Sequence, residues 1–164
     1  MIDVTQIMRG VRFAAVVAVA LAMSACASQQ NASGDAAGAA ATPGSQQDFV
    51  VNVGDRVFFS TDSSELSAQA RETLDKQAQW LNTYSQYSQF TVEGHADERG
   101  TREYNLALGA RRAQAVRDYL ISRGVAANRM HTISYGKERP VALCADISCW
   151  SQNRRAVTVL NASS

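Results

Sequence analysis

A chain of 164 residues, 46% hydrophobic and 19% charged, permits one ordinary domain plus accessory segments. Its formal charge is +1, and loss of residues 1–25 would remove Asp3, Arg9 and Arg12 and leave 14 basic against 14 acidic residues. A neutral body carries no electrostatic footprint for nucleic acid or for an anionic membrane surface, and no internal repeat is present.

The first segment reads as an export signal. Arg9 and Arg12 form a positive region, and Phe13 to Met23 form a short apolar run. That run falls short of the ~20 residues that span a bilayer comfortably. Ser24, Ala25 and Cys26 follow, with small residues before a cysteine, as in the lipobox of bacterial lipoproteins. The pattern predicts a signal peptide over 1–25 and a lipid-bearing Cys26, although Met23 stands where that box prefers Leu. The alternative is an ordinary secretory signal with an incidental cysteine. Ala27 after the cysteine points to the outer membrane by the lipoprotein sorting pattern. Residues 26–47 are Ala, Ser, Gly and Gln with almost no charge, which predicts a flexible tether. About 20 such residues reach roughly 25 Å as a random coil.

The folded domain is placed at 48–164. Phe49 to Asn52 and Arg56 to Phe59 read as extended segments broken by Gly54-Asp55. Ser67 caps a helix on which Ala70, Leu74, Ala78 and Leu81 recur at helical spacing. Phe90 and Val92 mark a strand running into Gly94. Thr101 caps a second helix that reaches Arg123 and stops at Gly124. Ile133 and Tyr135 mark a strand, Cys149 to Arg154 a short helix, and Val157 and Val159 a last strand. This order predicts a two-layer α/β sandwich, a small mixed sheet with helices on one face. Cys144 and Cys149 share a loop of an exported chain, where disulfides persist, and are expected to be bridged. A metal site or redox pair is the alternative, but the spacing is not CxxC.

The run Gly94-His95-Ala96-Asp97-Glu98-Arg99-Gly100 puts a carboxylate in the loop before the second helix. Asn105, Leu108 and Arg112 lie at i, i+3 and i+7 and share one face of that helix. A carboxylate and a guanidinium facing one space can hold a zwitterion by its ammonium and its carboxylate. Backbone N–H groups near Thr101 can add donors. An internal Asp97–Arg112 salt bridge is the simpler alternative. His95 and Asp97 also raise an acid/base pair, hence a hydrolase, although no set of nucleophile, base and orienting group accompanies them. His95 is expected instead to orient the loop by hydrogen bonding. Arg99, Arg102, Arg111, Arg154 and Arg155 are expected to be solvated or to face a partner.

The stretch from Gly94 to Ala113, with Ile133 to Pro140 and Asn153 to Val157, resembles the outer-membrane-protein-A-like C-terminal family and, within it, the peptidoglycan-associated lipoproteins. The family motif N-x-x-L-S-x-x-R-A reads here Asn105, Leu108, Gly109, Arg112, Ala113, with Gly109 in place of Ser. The resemblance implies non-covalent, non-enzymatic binding of peptidoglycan through diaminopimelate, with the family's aspartate at Asp97 and its arginine at Arg112. It adds Phe59 and Ser60 to the pocket, Ser60 standing where the family usually has Asp. It implies an outer-membrane lipoprotein facing the periplasm, with TolB and the Tol–Pal system as partners in cell division, and no cofactor or metal. A soluble periplasmic adaptor without lipid is a third reading. Cys26→Ser is expected to move the protein from the membrane to the soluble fraction; firm membrane association of that variant would contradict the lipid anchor.

Overall fold

A computed structural model describes residues 41–161 of the chain. The expected signal peptide, Cys26 and the expected tether up to residue 40 lie outside the described residues. The elements are α1 (Gln46–Asp48), which continues as a π-helical turn (Phe49–Gly54), β1 (Arg56–Phe58), α2 (Ala68–Thr83), β2 (Phe90–His95), α3 (Arg102–Ser122), a 3-10 turn (Ala127–Arg129), β3 (Met130–Gly136), α4 (Ile147–Asn153) and β4 (Arg155–Leu160). The sheet order is β1-β4-β2-β3. β4 pairs antiparallel with both neighbours, and β2 and β3 run parallel. The α3 crossover joins the parallel pair, as a parallel connection requires. This is the expected two-layer α/β sandwich.

The helices form where sequence caps and spacing place them. Ser67 Oγ accepts from Ala70 N–H at 3.1 Å, and Ala70, Leu74, Ala78 and Leu81 are buried. Thr101 Oγ1 accepts from Tyr104 N–H at 3.2 Å, and Gly124, at φ +87°, ends the helix. The core joins these helices to the inner face of the sheet through Phe90, Val92, Ala156 and Leu160, with Val116 and Leu120 above. Thr158 also faces inward, and its hydroxyl meets Gln77 Oε1 at 2.9 Å. Ile133 and Val159 point to the open face and are 40% and 37% exposed.

The segment Phe49 to Asn52 is helical, not extended. Ser45 caps the preceding turn, and Asp48 accepts from Gly44 N–H (2.9 Å), Asn52 Nδ2 (2.8 Å) and Trp80 Nε1 (2.8 Å). Phe49 packs against Trp80 with ring centroids 4.8 Å apart, and Val53 joins it on the core side one turn later. Val50 and Val51 remain exposed, so the apolar run has a helical, not a strand, inside and outside. Packing begins before Asp48: buried Gly44 accepts from Tyr87 Oη at 3.1 Å, and Gln46 Nε2 donates to the Leu160 carbonyl at 3.0 Å. The Cys144–Cys149 bridge forms, with Cα atoms 5.5 Å apart.

α3 crosses β2 backbone to backbone. A Cβ on Gly94 would fall inside the van der Waals shell of the Gly109 carbonyl, and one on Gly109 would strike the Ser134 hydroxyl. Ser134 Oγ itself donates to the Leu106 carbonyl at 2.7 Å, filling the space into which a side chain on Gly109 would project. Gly94→Ala is therefore expected to lower unfolding free energy by about 1–3 kcal/mol or more, because rigid backbone opposes the added methyl. Urea denaturation measures it; an unchanged midpoint would show that the approach is looser than described.

Candidate functional site

Above this crossing the chain builds a pocket of about 240 Å³ at the head of α3. Leu108 and Arg112 line it from the helix stripe, Asp97 from the loop after β2, and Asp62 from the loop after β1. Asn105 lines it too, and its Nδ2 donates to the carbonyls of Arg99 (2.8 Å) and Thr101 (3.1 Å), holding the loop against the helix. Ala96 N–H donates to the Gly136 carbonyl at 2.8 Å, and Lys137 Nζ donates to the carbonyls of Glu98 and Gly100. The Asp97 loop is thus fixed from both sides.

Arg112 is fully buried. Its Nη1 donates to His95 O at 2.7 Å, Nε to Ser63 O at 2.8 Å and Nη2 to Ser60 O at 3.1 Å. A guanidinium has five N–H groups, so these three bonds leave two for a ligand. Burial and the nearby Arg154 pull its pKa down to about 10, while Asp97 and Asp62 oppose the fall. All three acceptors of Arg112 are main-chain carbonyls, and the two carboxylates act on it from a distance. Asp97 pairs not with Arg112 but with Arg99, whose Nε and Nη2 lie 3.1 and 2.9 Å from the two carboxylate oxygens. Arg154 Nη1 approaches at 3.5 Å. Burial raises the Asp97 pKa, but the hydrogen bonds from Arg99 and Arg154 outweigh it and hold the group below its ordinary value.

The pocket brings together Asp97, Asn105, Leu108 and Arg112. Phe59, Ser60 and Thr101 lie outside its wall. Phe59 is buried with its ring 5.1 Å from the Arg112 guanidinium carbon, Ser60 contributes its carbonyl to Arg112, and Thr101 caps α3. Thr61, Asp62, Arg99, Gly100 and Tyr104 complete the lining, and sequence reasoning missed them. Tyr104 was within reach, since it lies one turn before Leu108 on the same stripe. Its hydroxyl contacts the Asp62 carboxylate. Asp62 adopts a positive φ of 55°, a conformation its neighbours do not announce.

Two expectations are corrected. The His95 ring makes no hydrogen bond: it is 2% exposed, lies against Tyr135, and has Glu93 Oε2 at 3.4 Å but outside bonding geometry. His95 holds the loop through its carbonyl instead. Arg154 and Arg155 are buried rather than solvated, donating to the carbonyls of Phe59 and Arg139. Arg99 is exposed, as expected, while its guanidinium rests on Asp97 and lies 4.2 Å from the Trp150 ring centroid. Among the described residues, Cys144, Asp146 and Cys149 place possible metal-ligand atoms within 4.8 Å of one another, but the two sulfurs are bonded to each other.

Residues 58–155 match the OmpA family model. The chain is 71% identical over 145 residues to the peptidoglycan-associated lipoprotein of Rhizobium meliloti (strain 1021), covering 85% of this chain and 82% of that protein. It is 66% identical over 148 residues to the peptidoglycan-associated lipoprotein of Agrobacterium fabrum, covering 87% and 83%. Among solved structures, the peptidoglycan-associated lipoprotein from Burkholderia pseudomallei is 46% identical with a TM-score of 0.61, over 64% of this chain and 88% of that one. The C-terminal domain of Helicobacter pylori MotB, 22% identical, shares the fold with a TM-score of 0.62, over 67% and 86% of the two chains.

Burial and then the cations Arg155, Arg139 and Arg56 lower the His95 pKa from 6.5 to about 4. The unfolded chain takes up this proton first as pH falls. Stability present above pH 6.5 is therefore lost progressively down to about pH 4, by on the order of 3 kcal/mol. Urea unfolding across that window is expected to show the loss, and His95→Gln to flatten it. An equal slope in the variant would assign the acid limb to other groups.

Proposed function

The chain belongs to the OmpA family, in the branch of the peptidoglycan-associated lipoproteins, and from that premise we propose that its pocket holds a diaminopimelate end group of the peptidoglycan stem peptide. One observation carries the reading: Asp97 and a buried Arg112 with two uncommitted N–H groups line the same space. The free end of meso-diaminopimelate carries an ammonium and a carboxylate on one D-configured carbon. Arg112 takes the carboxylate with its remaining N–H groups, in a planar fork that lysine cannot supply. Asp97 takes the ammonium. Leu108 meets the methylene chain. Phe59, Ser60 and Thr101 act from behind, through the ring contact with Arg112, the carbonyl that accepts from Arg112 and the α3 cap.

The chain binds and does not cleave. The His95 ring, the partner Asp97 would need for hydrolysis, is buried outside the pocket lining. Lipid on Cys26 anchors the protein in the outer membrane with this domain in the periplasm, so that one chain links membrane to wall. In the family pattern it works with TolB and the other Tol proteins during constriction at division.

Arg112 variants test folding as much as binding, because they strip donors from three carbonyls. Asp97→Asn keeps the shape and removes the charge. Calorimetry against a stem tripeptide ending in meso-diaminopimelate is expected to show a loss of about 2–5 kcal/mol in that variant. The LL-isomer, with ammonium and carboxylate exchanged in direction, is expected to bind markedly more weakly. Equal affinity for both isomers would place the ligand elsewhere, and soluble fragments released from intact sacculi would reinstate the hydrolase.

A further inference from the structure

A carboxylate offers about four hydrogen-bonding positions on its two oxygens. On Asp97 all four are occupied. Oδ1 accepts from Arg99 N–H and Arg99 Nε, both at 3.1 Å, and Oδ2 accepts from Arg99 Nη2 at 2.9 Å and Arg154 Nη1 at 3.5 Å. A ligand ammonium reaches Asp97 only if one of these groups leaves. Arg154 cannot leave cheaply, because it is buried and its Nε donates to Phe59 O at 3.0 Å. The Arg99 side chain is 41% exposed and can leave.

Arg99 also has a second hold. Its guanidinium lies 4.2 Å over the Trp150 ring, and Trp150 Nε1 donates to Glu98 Oε1 at 3.1 Å. Trp150 sits on α4, directly after Cys149 of the bridge. The indole can therefore keep the guanidinium close to the pocket mouth whether or not Arg99 rests on Asp97.

We propose that the Arg99 guanidinium is a resident competitor for the ligand's ammonium on Asp97, displaced when ligand binds, with Trp150 setting how firmly it is held. The inference rests on the reading that Asp97 takes an ammonium. It makes Arg99 a residue that tunes affinity and specificity through Asp97. A ligand with a free amine replaces one cation on Asp97 by another. A ligand whose amine is acylated, as in a cross-linked stem peptide, brings no cation and leaves Arg99 in place. Asp97 favours uncross-linked ends, and Arg99 tempers that preference to the difference between two cations on one carboxylate.

The test is calorimetry of the purified full chain in detergent. The probes are the tripeptide L-Ala-γ-D-Glu-meso-diaminopimelate and its form acetylated on the terminal amine. Arg99→Gln is expected to raise affinity for the free-amine probe by about threefold to fivefold, the scale of an exposed ion pair. It should also widen the discrimination against the acetylated probe, whose binding does not require Arg99 to leave. Trp150→Leu is expected to shift affinity the same way but less, with no further gain in the double variant. In wild type, ligand is expected to change the tryptophan emission; that change is lost in both variants, while Trp80 remains as the common background. Unfolding midpoints near wild type confirm that the variants are intact. If Arg99→Gln weakens binding while Asp97→Asn abolishes it, Arg99 is a ligand contact and the competitor is wrong. If Asp97→Asn binds like wild type, the ammonium site itself is wrong.

Discussion

The buried Arg112 guanidinium is the interaction on which the rest of the site depends. It donates to the carbonyl that ends β2 and to two carbonyls in the loop after β1, segments far apart in sequence. One side chain thus fixes the distance between the loop that carries Asp97 and the loop that carries Asp62. The carbonyls satisfy hydrogen bonds without supplying a negative charge. Burial and the nearby Arg154 lower the Arg112 pKa, and the carboxylates of Asp97 and Asp62 offset part of that cost from across the pocket. The pocket wall sets the two carboxylates Asp62 and Asp97 against the two guanidiniums Arg99 and Arg112.

The helix can deliver Arg112 to this place only because α3 lies unusually close to the sheet. Gly94 and Gly109 meet backbone to backbone, and Arg112 follows Gly109 by one turn. A larger residue at either glycine would lift the helix and with it the guanidinium. Helix packing and the placement of the pocket wall are here a single constraint. That explains why a stripe buried along α3 includes Asn105 and Arg112 beside Leu108, Ala113 and Val116.

Much of this was legible in the sequence. Caps at Ser67 and Thr101, the Gly124 stop and the 3.6-residue spacing of Leu74, Ala78 and Leu81 are local signals, and local signals survive folding. The Asn105, Leu108, Arg112 spacing identified one wall of the pocket for the same reason. What escaped was set by tertiary placement. The Phe49 run reads equally as strand or helix until Trp80 arrives to cover it. Ile133 and Val159 lie in strands, but alternation alone does not say which face meets the helices. Arg154 and Arg155 read as solvated charge because their acceptors are main-chain carbonyls, which every residue carries and no motif marks. Ser60 matters here through its carbonyl, and His95 through its own, so neither side chain disclosed the role.

The docking of α1 has a mechanical consequence. A chain pulled from before residue 41 delivers tension first to Gly44, Gln46 and Asp48, whose bonds to Tyr87, Leu160 and Trp80 lie ahead of any sheet pairing. The next element, β1, is a three-residue edge strand, paired on one side only, and it leads directly to Phe59 and Ser60. Tension that reached β1 would unzip it and withdraw the Ser60 and Ser63 carbonyls from Arg112. Tension entering from the N-terminal side therefore meets the aromatic cluster of Phe49, Trp80, Tyr84 and Tyr87 before it meets the pocket.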